Sequence, residues 1–144
     1  NFVLTARAEN YLFGRPDIDD TLARLKGYQE VGADVLYAPG LPDLTVIKEV
    51  CETVDKPVNV VAGIGLKGVT FSQLQKAGVR RISAGSALSR VAFGAMVEAT
   101  NRILQTGSFE DFSTAATFSG LDSLIRKADG YKRHWEENGG AWSC

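Results

Sequence analysis

The sequence predicts an α/β protein, a parallel β-sheet covered by helices. Three observations carry this expectation. First, four short apolar runs stand out: Phe2-Val3-Leu4, Val35-Leu36-Tyr37, Val58-Asn59-Val60-Val61-Ala62 and Arg81-Ile82-Ser83-Ala84. Each is nearly continuous and is followed by Gly, Pro or a polar cluster, as strands buried on both faces are. Second, helical periodicity fills every gap, so the order is βαβαβαβα, and right-handed crossovers turn such a chain into a parallel sheet. Third, the runs start near residues 2, 35, 58 and 81. A (β/α)8 barrel averages about 31 residues per unit, so four units make half a barrel. A small open sheet is the alternative.

The elements follow in order. After the first run, Asp19, Asp20 and Thr21 are N-cap candidates. Ile18, Leu22, Leu25 and Val31 then fall near one helical face, and Gly32 is placed just past the helix end, where a left-handed residue is wanted. After the second run, Asp43 can cap a helix with Ile47, Val50, Cys51 and Val54 inward. After the third, Thr70-Phe71-Ser72-Gln73 fits a capping box, with Leu74 inward and Gly78 as the stop. After the fourth, Leu88, Val91, Ala92, Ala95, Met96, Ala99 and Ile103 mark the inward face of the longest helix, closed by Gly107. From Ser108 the pattern changes. Phe109, Phe112, Phe118, Leu121, Leu124, Ile125, Tyr131 and Trp135 punctuate polar segments that read as two short helices, with a frayed end at Gly139–Trp142. The expected division is residues 1–106 as the half-barrel and 107–144 as a helical extension, packed on its own domain or on a neighbouring subunit.

Composition narrows the function. The 144 residues carry 16 Lys plus Arg against 17 Asp plus Glu, a net charge of −1. This balance lacks the basic stripe of a nucleic-acid binder. No apolar run nears the roughly 20 residues that span a bilayer, so no membrane partner is expected. Cys51, in a helix, and Cys144, at the end of the chain, make no disulfide framework, and the reading is a reduced, cytoplasmic protein.

Gly63-Ile64-Gly65-Leu66-Lys67-Gly68 has the form G-x-G-x-x-G after a strand. Dinucleotide binding also needs an acidic residue about 20 positions on. That region reads Ser83-Ala84-Gly85-Ser86, so a flexible glycine loop over a site is the better reading. The loops at Gly63 and at Gly85-Ser86 can also hold a phosphate through backbone N–H groups. Arg7 and Glu9 lie at the carboxyl end of the first run, where alternation sets Thr5, Arg7 and Glu9 on one face. A barrel binds its ligand at that end, and a guanidinium suits a carboxylate or phosphonate. Arg7 is read as functional, against a structural Arg7–Glu9 pair, and Glu9 stays open between the two. Asn59 needs partners inside its apolar run, and either a substrate or a neighbouring backbone would supply them. His134, in the polar tail, is read as a surface residue and Cys51 as a core thiol. Asp17, Asp19 and Asp20 fit helix capping better than a metal cage.

Four blocks, in order, resemble the isocitrate lyase/phosphoenolpyruvate mutase superfamily, in its bacterial 2-methylisocitrate lyase-like or phosphonomutase-like branch. They are Phe2–Asn10 with Gly14-Arg15-Pro16 and Asp19-Asp20-Thr21; Gly32–Gly40; Lys56–Val60; and Gly78–Ser83 with Gly85-Ser86-Ala87-Leu88. The resemblance covers roughly residues 1–106. It implies a (β/α)8 TIM barrel of which this chain supplies strands five to eight. It implies Mg2+-dependent formation or cleavage of a C–C or P–C bond next to an α-keto acid, through an enolate held by the metal. Arg7 matches the family arginine that grips the substrate carboxylate or phosphonate, and Asn59 falls near the family's substrate-binding asparagine. Where the lyases place a glutamate after the sixth strand, this chain has Pro39. The family's last helix is often exchanged between subunits, so a homo-oligomer is expected. The metal-binding aspartates and catalytic loop lie before strand five in the family. The Mg2+ ligands and the base are therefore expected upstream of Asn1, with this chain the C-terminal half of the enzyme. The expected partner is a small 2-oxo or 2-hydroxy acid. A phosphate-binding barrel enzyme and a non-catalytic half-barrel assembly fragment are the alternatives.

Overall fold

A computed structural model of the chain describes residues 2–63 and 66–137, with side chains through residue 127. Four strands, β1 (Thr5–Arg7), β2 (Val35–Tyr37), β3 (Val58–Val61) and β4 (Arg81–Ser83), form one parallel sheet in the order β1-β2-β3-β4. Between them run α1 (Ile18–Glu30), α2 (Leu44–Thr53) and α3 (Phe71–Lys76). After β4 come α4 (Ala87–Thr106), a 3-10 turn (Glu110–Thr114) and α5 (Phe118–Glu137). The chain divides into two compact units, Asn1–Ala92 and Phe93–Cys144.

The predicted α/β order is present, and the local signals explain why. Asp17 rather than Asp19 or Asp20 caps α1, its Oδ1 accepting from Asp20 N at 3.0 Å, and Gly32 takes φ +100° just beyond the last turn. Asp43 caps α2 by accepting from Thr45 N and Val46 N. Thr70 and Gln73 close the predicted capping box of α3 in both directions. Each such cap stabilises its helix by about 1 kcal/mol.

Pairing one residue on each strand with its neighbour sorts the side chains. Ala6 lies opposite Leu36, Leu36 opposite Val58, and Val60 opposite Ile82. These five turn to one face and join Leu25 of α1, Ile47 and Val50 of α2, Leu74 of α3 and Val79 in one apolar cluster. Full burial of a side chain such as Leu36 or Ile47 contributes about 1.5–3 kcal/mol. The other face of the sheet carries Thr5, Arg7, Val35, Tyr37, Asn59, Val61, Arg81 and Ser83.

Two expectations need correction. The first strand begins at Thr5, and Phe2-Val3-Leu4 is exposed. Pairing with β2 opens at Leu4, whose carbonyl accepts from Asp34 N and Val35 N and whose N–H donates to Asp34 Oδ2 at 2.8 Å. The chain just before Val35 is the Gly32–Asp34 turn, so β2 offers no strand for Phe2 and Val3 to pair with. Helix α4 forms as predicted but has no buried residue, and Leu88, Val91 and Met96 are exposed rather than inward. Helices α1 to α3 each lie between two strands in sequence, whereas no further strand follows α4 among the described residues.

In the second unit the Phe109 and Phe112 rings pack tilted at 48° with centroids 5.6 Å apart, and Arg102 pairs with Asp111. Phe118, Leu121, Leu124 and Ile125 of α5 are exposed. The side chains of Tyr131, His134 and Trp135, and the segment Gly139–Trp142, lie outside the described residues. Among the described residues no helix is long and apolar enough to cross a membrane.

Candidate functional site

The sheet face away from the apolar cluster bears one polar row. Register sets Arg7 beside Tyr37, Tyr37 beside Asn59, and Asn59 beside Arg81. Neighbours in a parallel ladder share a face about 4.8 Å apart, so four strands bring these residues together from positions up to 74 apart in the chain.

Arg7 ends β1. Its Nε lies 2.6 Å from Glu9 Oε1, and its guanidinium carbon sits 5.1 Å from the centroid of the Tyr37 ring. The Glu9 pair therefore exists, but it occupies the Nε edge and leaves both terminal Nη groups without a partner among the described residues. A guanidinium with its Nε edge paired and its carbon over an aromatic ring is aimed by its surroundings, and its open fork matches a carboxylate or phosphonate. Burial pushes the Tyr37 phenol above its ordinary pKa. Arg7 opposes that shift, Glu9 adds to it and Arg81 opposes it.

Asn59 is 1% exposed, and both ends of its amide are engaged. Oδ1 accepts from Arg81 Nη1 at 3.1 Å, and Nδ2 donates to Ser83 Oγ at 3.2 Å. Of the two kinds of partner open to it, the structure supplies neighbouring groups, though from β4 side chains rather than backbone. Tyr37 and Arg81 were missed by sequence reasoning. Each ends or begins an apolar run, and only strand register shows that they flank Asn59 on one face.

The loops after β3 and β4 meet beside this row. Gly63 has φ +90°, and a Cβ built on it would lie 3.8 Å from Ala87 Cβ, at the first residue of α4. Gly85 has φ +51°, and exposed Ser86 precedes α4, its carbonyl accepting from Arg90 N at 2.9 Å. Ile64 and Gly65 lie outside the described residues.

The loop after β1 walls a cleft of about 600 Å3 with Glu9, Asn10, Phe13, Arg15, Asp20 and Arg24. Asn10 Nδ2 donates to Asp20, which also accepts from Arg24 Nε at 2.7 Å, and these contacts, the Arg24 hydrogen bond foremost, hold the Asp20 carboxyl below its ordinary pKa. Asp17 and Asp20 are thus committed to capping and pairing. Among the described residues no three His, Cys, Asp or Glu side chains are grouped to hold a metal ion, so these residues by themselves do not fit a Mg2+ site. Cys51 is half-buried, and burial pushes its thiol up to about 11, which suits a packing residue rather than a nucleophile.

Comparison with known proteins bears on this face. The family model described as phosphoenolpyruvate phosphomutase matches residues 1–104. A solved protein from Burkholderia cenocepacia J2315, named a lyase/mutase, is 43% identical with a TM-score of 0.81, over 87% of this chain and 45% of that one. A second from the same organism, named a phosphonomutase, is 28% identical with a TM-score of 0.62, over 70% of this chain and 43% of that one. A phosphonopyruvate hydrolase in complex with oxalate and Mg2+ shares the fold at 22% identity and a TM-score of 0.69, over 94% of this chain and 48% of that one. The chain thus spans less than half the length of these structures. No curated protein matches significantly. With the matching model spanning all four βα units and the polar row between them, the chain belongs to the phosphoenolpyruvate phosphomutase family.

Proposed function

We propose that this chain is the C-terminal half, strands five to eight, of a (β/α)8 barrel enzyme that makes or breaks a C–C or P–C bond beside an α-keto acid. Its substrates are small 2-oxo or 2-hydroxy carboxylates, or phosphonates. Residues 1–106 contribute the half-barrel and 107–144 a helical extension. The observation that carries this reading is Arg7: it ends β1 on the sheet face away from the apolar cluster, with its Nε edge held by Glu9 and its Nη fork open. There it grips the substrate's carboxylate or phosphonate. Family membership and a Mg2+–oxalate complex of a fold relative support a magnesium enzyme, whose metal ligands and base come from outside this chain. When bound, the metal would stabilise negative charge on the enolate oxygen. Gly63 and Ser86 follow the strands at the same end of the sheet, and Asn59, in the same row as Arg7 and Tyr37, fixes Arg81 and Ser83. The enzyme is cytoplasmic and a homo-oligomer in which α4 or the tail is shared between subunits.

The test is an assay of the full-length gene product with Mg2+ against 2-methylisocitrate, isocitrate, oxaloacetate and phosphonopyruvate. Turnover of at least one is expected, and Arg7→Ala is expected to lower kcat/KM by about a hundredfold or more through lost positioning. Unchanged turnover in Arg7→Ala removes the clamp role. The approach of the Gly63 loop to the start of α4 favours a second reading, a phosphate-binding barrel. Inorganic phosphate protecting backbone N–H groups at Gly63 and Gly85, with Arg7→Ala without effect, would favour it.

A further inference from the structure

A guanidinium used as an anion clamp works only when its orientation is held, and in this chain the guanidinium of Arg7 lies over the Tyr37 ring. The two residues are register partners at the ends of adjacent strands, so both side chains rise from neighbouring positions on the same sheet face. The guanidinium carbon lies 5.1 Å from the ring centroid, within the range where a cation is drawn to the ring face. Glu9 closes the Nε edge at 2.6 Å. What remains open on Arg7 is the Nη fork. What remains open on Tyr37 is the hydroxyl, which has no hydrogen-bond partner among the described residues. Both are donors from long side chains that start side by side.

We infer that Tyr37 is the second anion-binding residue of this site, its ring holding Arg7 in place and its hydroxyl donating to the same carboxylate or phosphonate. The inference rests on the reading of Arg7 under the proposed function and extends it to a two-donor site. An acceptor-only anion suits both donors, one charge-assisted and one neutral. A phenol with an ordinary pKa of about 10 is protonated at neutral pH and so is a donor. Asn59 cannot take this part, because Arg81 and Ser83 occupy its amide.

The test uses the full-length protein with Mg2+ and oxalate as the probe, read by calorimetry, with the Arg7 Nε–H resonance followed by NMR. Tyr37→Phe keeps the ring and removes only the hydroxyl. It is expected to weaken oxalate binding about five- to tenfold while leaving the Arg7 resonance in place. Tyr37→Leu is expected to weaken binding further and to shift the Arg7 resonance as the ring current is lost. Oxalate binding by Tyr37→Phe equal to that of the unmodified protein, with the fold intact by circular dichroism, overturns the inference. Arg7→Ala separates the two levels. If it leaves oxalate binding unchanged, the reading of Arg7 fails and the Tyr37 inference falls with it. If it abolishes binding while Tyr37→Phe does nothing, only the Tyr37 inference fails.

Discussion

Cys51 shows how a single residue's surroundings decide its chemistry. Its side chain packs at the edge of the apolar cluster on α2, and burial raises the thiol to about 11 from an ordinary 9.0, with Glu52 adding to the shift and Arg80 opposing it. The raised pKa means that the folded state keeps its proton where the unfolded chain has lost it. The thiol's contribution to stability is therefore intact below about pH 9 and is lost as pH rises through about 11. Iodoacetamide labelling of the native protein is expected to be slow at pH 8 and to rise steeply only toward pH 11, whereas the urea-unfolded protein labels readily at pH 9. Fast labelling of the native thiol at pH 8 would contradict this. The sequence placed Cys51 on the inward helix face correctly, because that assignment needs only the 3.6-residue period. Asn59 was different: its burial was legible, but its partners on β4 were not, since they come from 22 and 24 residues away.

At the scale of elements, the turn between α3 and β4 is the tightest fit. Gly78 has φ +95°, and a Cβ added there would lie 2.9 Å from Cys51 Cβ. Gly78→Ala would meet both the left-handed backbone cost, about 1–2 kcal/mol, and an overpacked contact of similar size. A loss of about 2–4 kcal/mol in urea unfolding is expected, and pairing it with Cys51→Ala should recover little of it, because alanine keeps the Cβ that the new methyl meets. Gly78 was readable as a stop because glycine after a helical run marks a left-handed end. The same logic found Gly32, Asp43 and the Thr70–Gln73 box. It misplaced the cap of α1 by two residues, since Asp17, Asp19 and Asp20 are equivalent by type and only the path of the preceding loop selects Asp17. It also placed the first strand too early, since apolar residues at 2–4 look like a strand whether or not another strand lies opposite.

For the whole molecule, the informative surface is what stays uncovered. Among the described residues β1 and β4 are the outer strands of the sheet, and α4 exposes Leu88, Val91, Met96 and Leu104. Open strand edges and apolar faces invite partners. The chain expressed alone is expected to sediment as species larger than its 15.5 kDa, and Val91→Asp with Met96→Asp should shift the distribution toward monomer. A monodisperse monomer before any substitution would remove support for sharing α4 between subunits. The division into units at Ala92 and Phe93 falls inside α4. Helical periodicity runs unbroken there, so nothing local marks that boundary.

Sequence alone was enough to set the order of elements, the caps of α2 and α3, the glycine stops, the apolar positions of α1 to α3 other than Val31, which is exposed, and, through the resemblance of four ordered blocks, the family. The elements, caps and apolar positions follow from periods of two and 3.6 residues and from backbone preferences of single residues, all of which act within a few positions. Which polar residues meet was settled only in three dimensions. The row Arg7, Tyr37, Asn59 and Arg81 exists because parallel hydrogen bonding and the packing of three helices set the register between strands 20 to 30 residues apart. A slip of one residue on any strand would turn its member of the row into the apolar cluster.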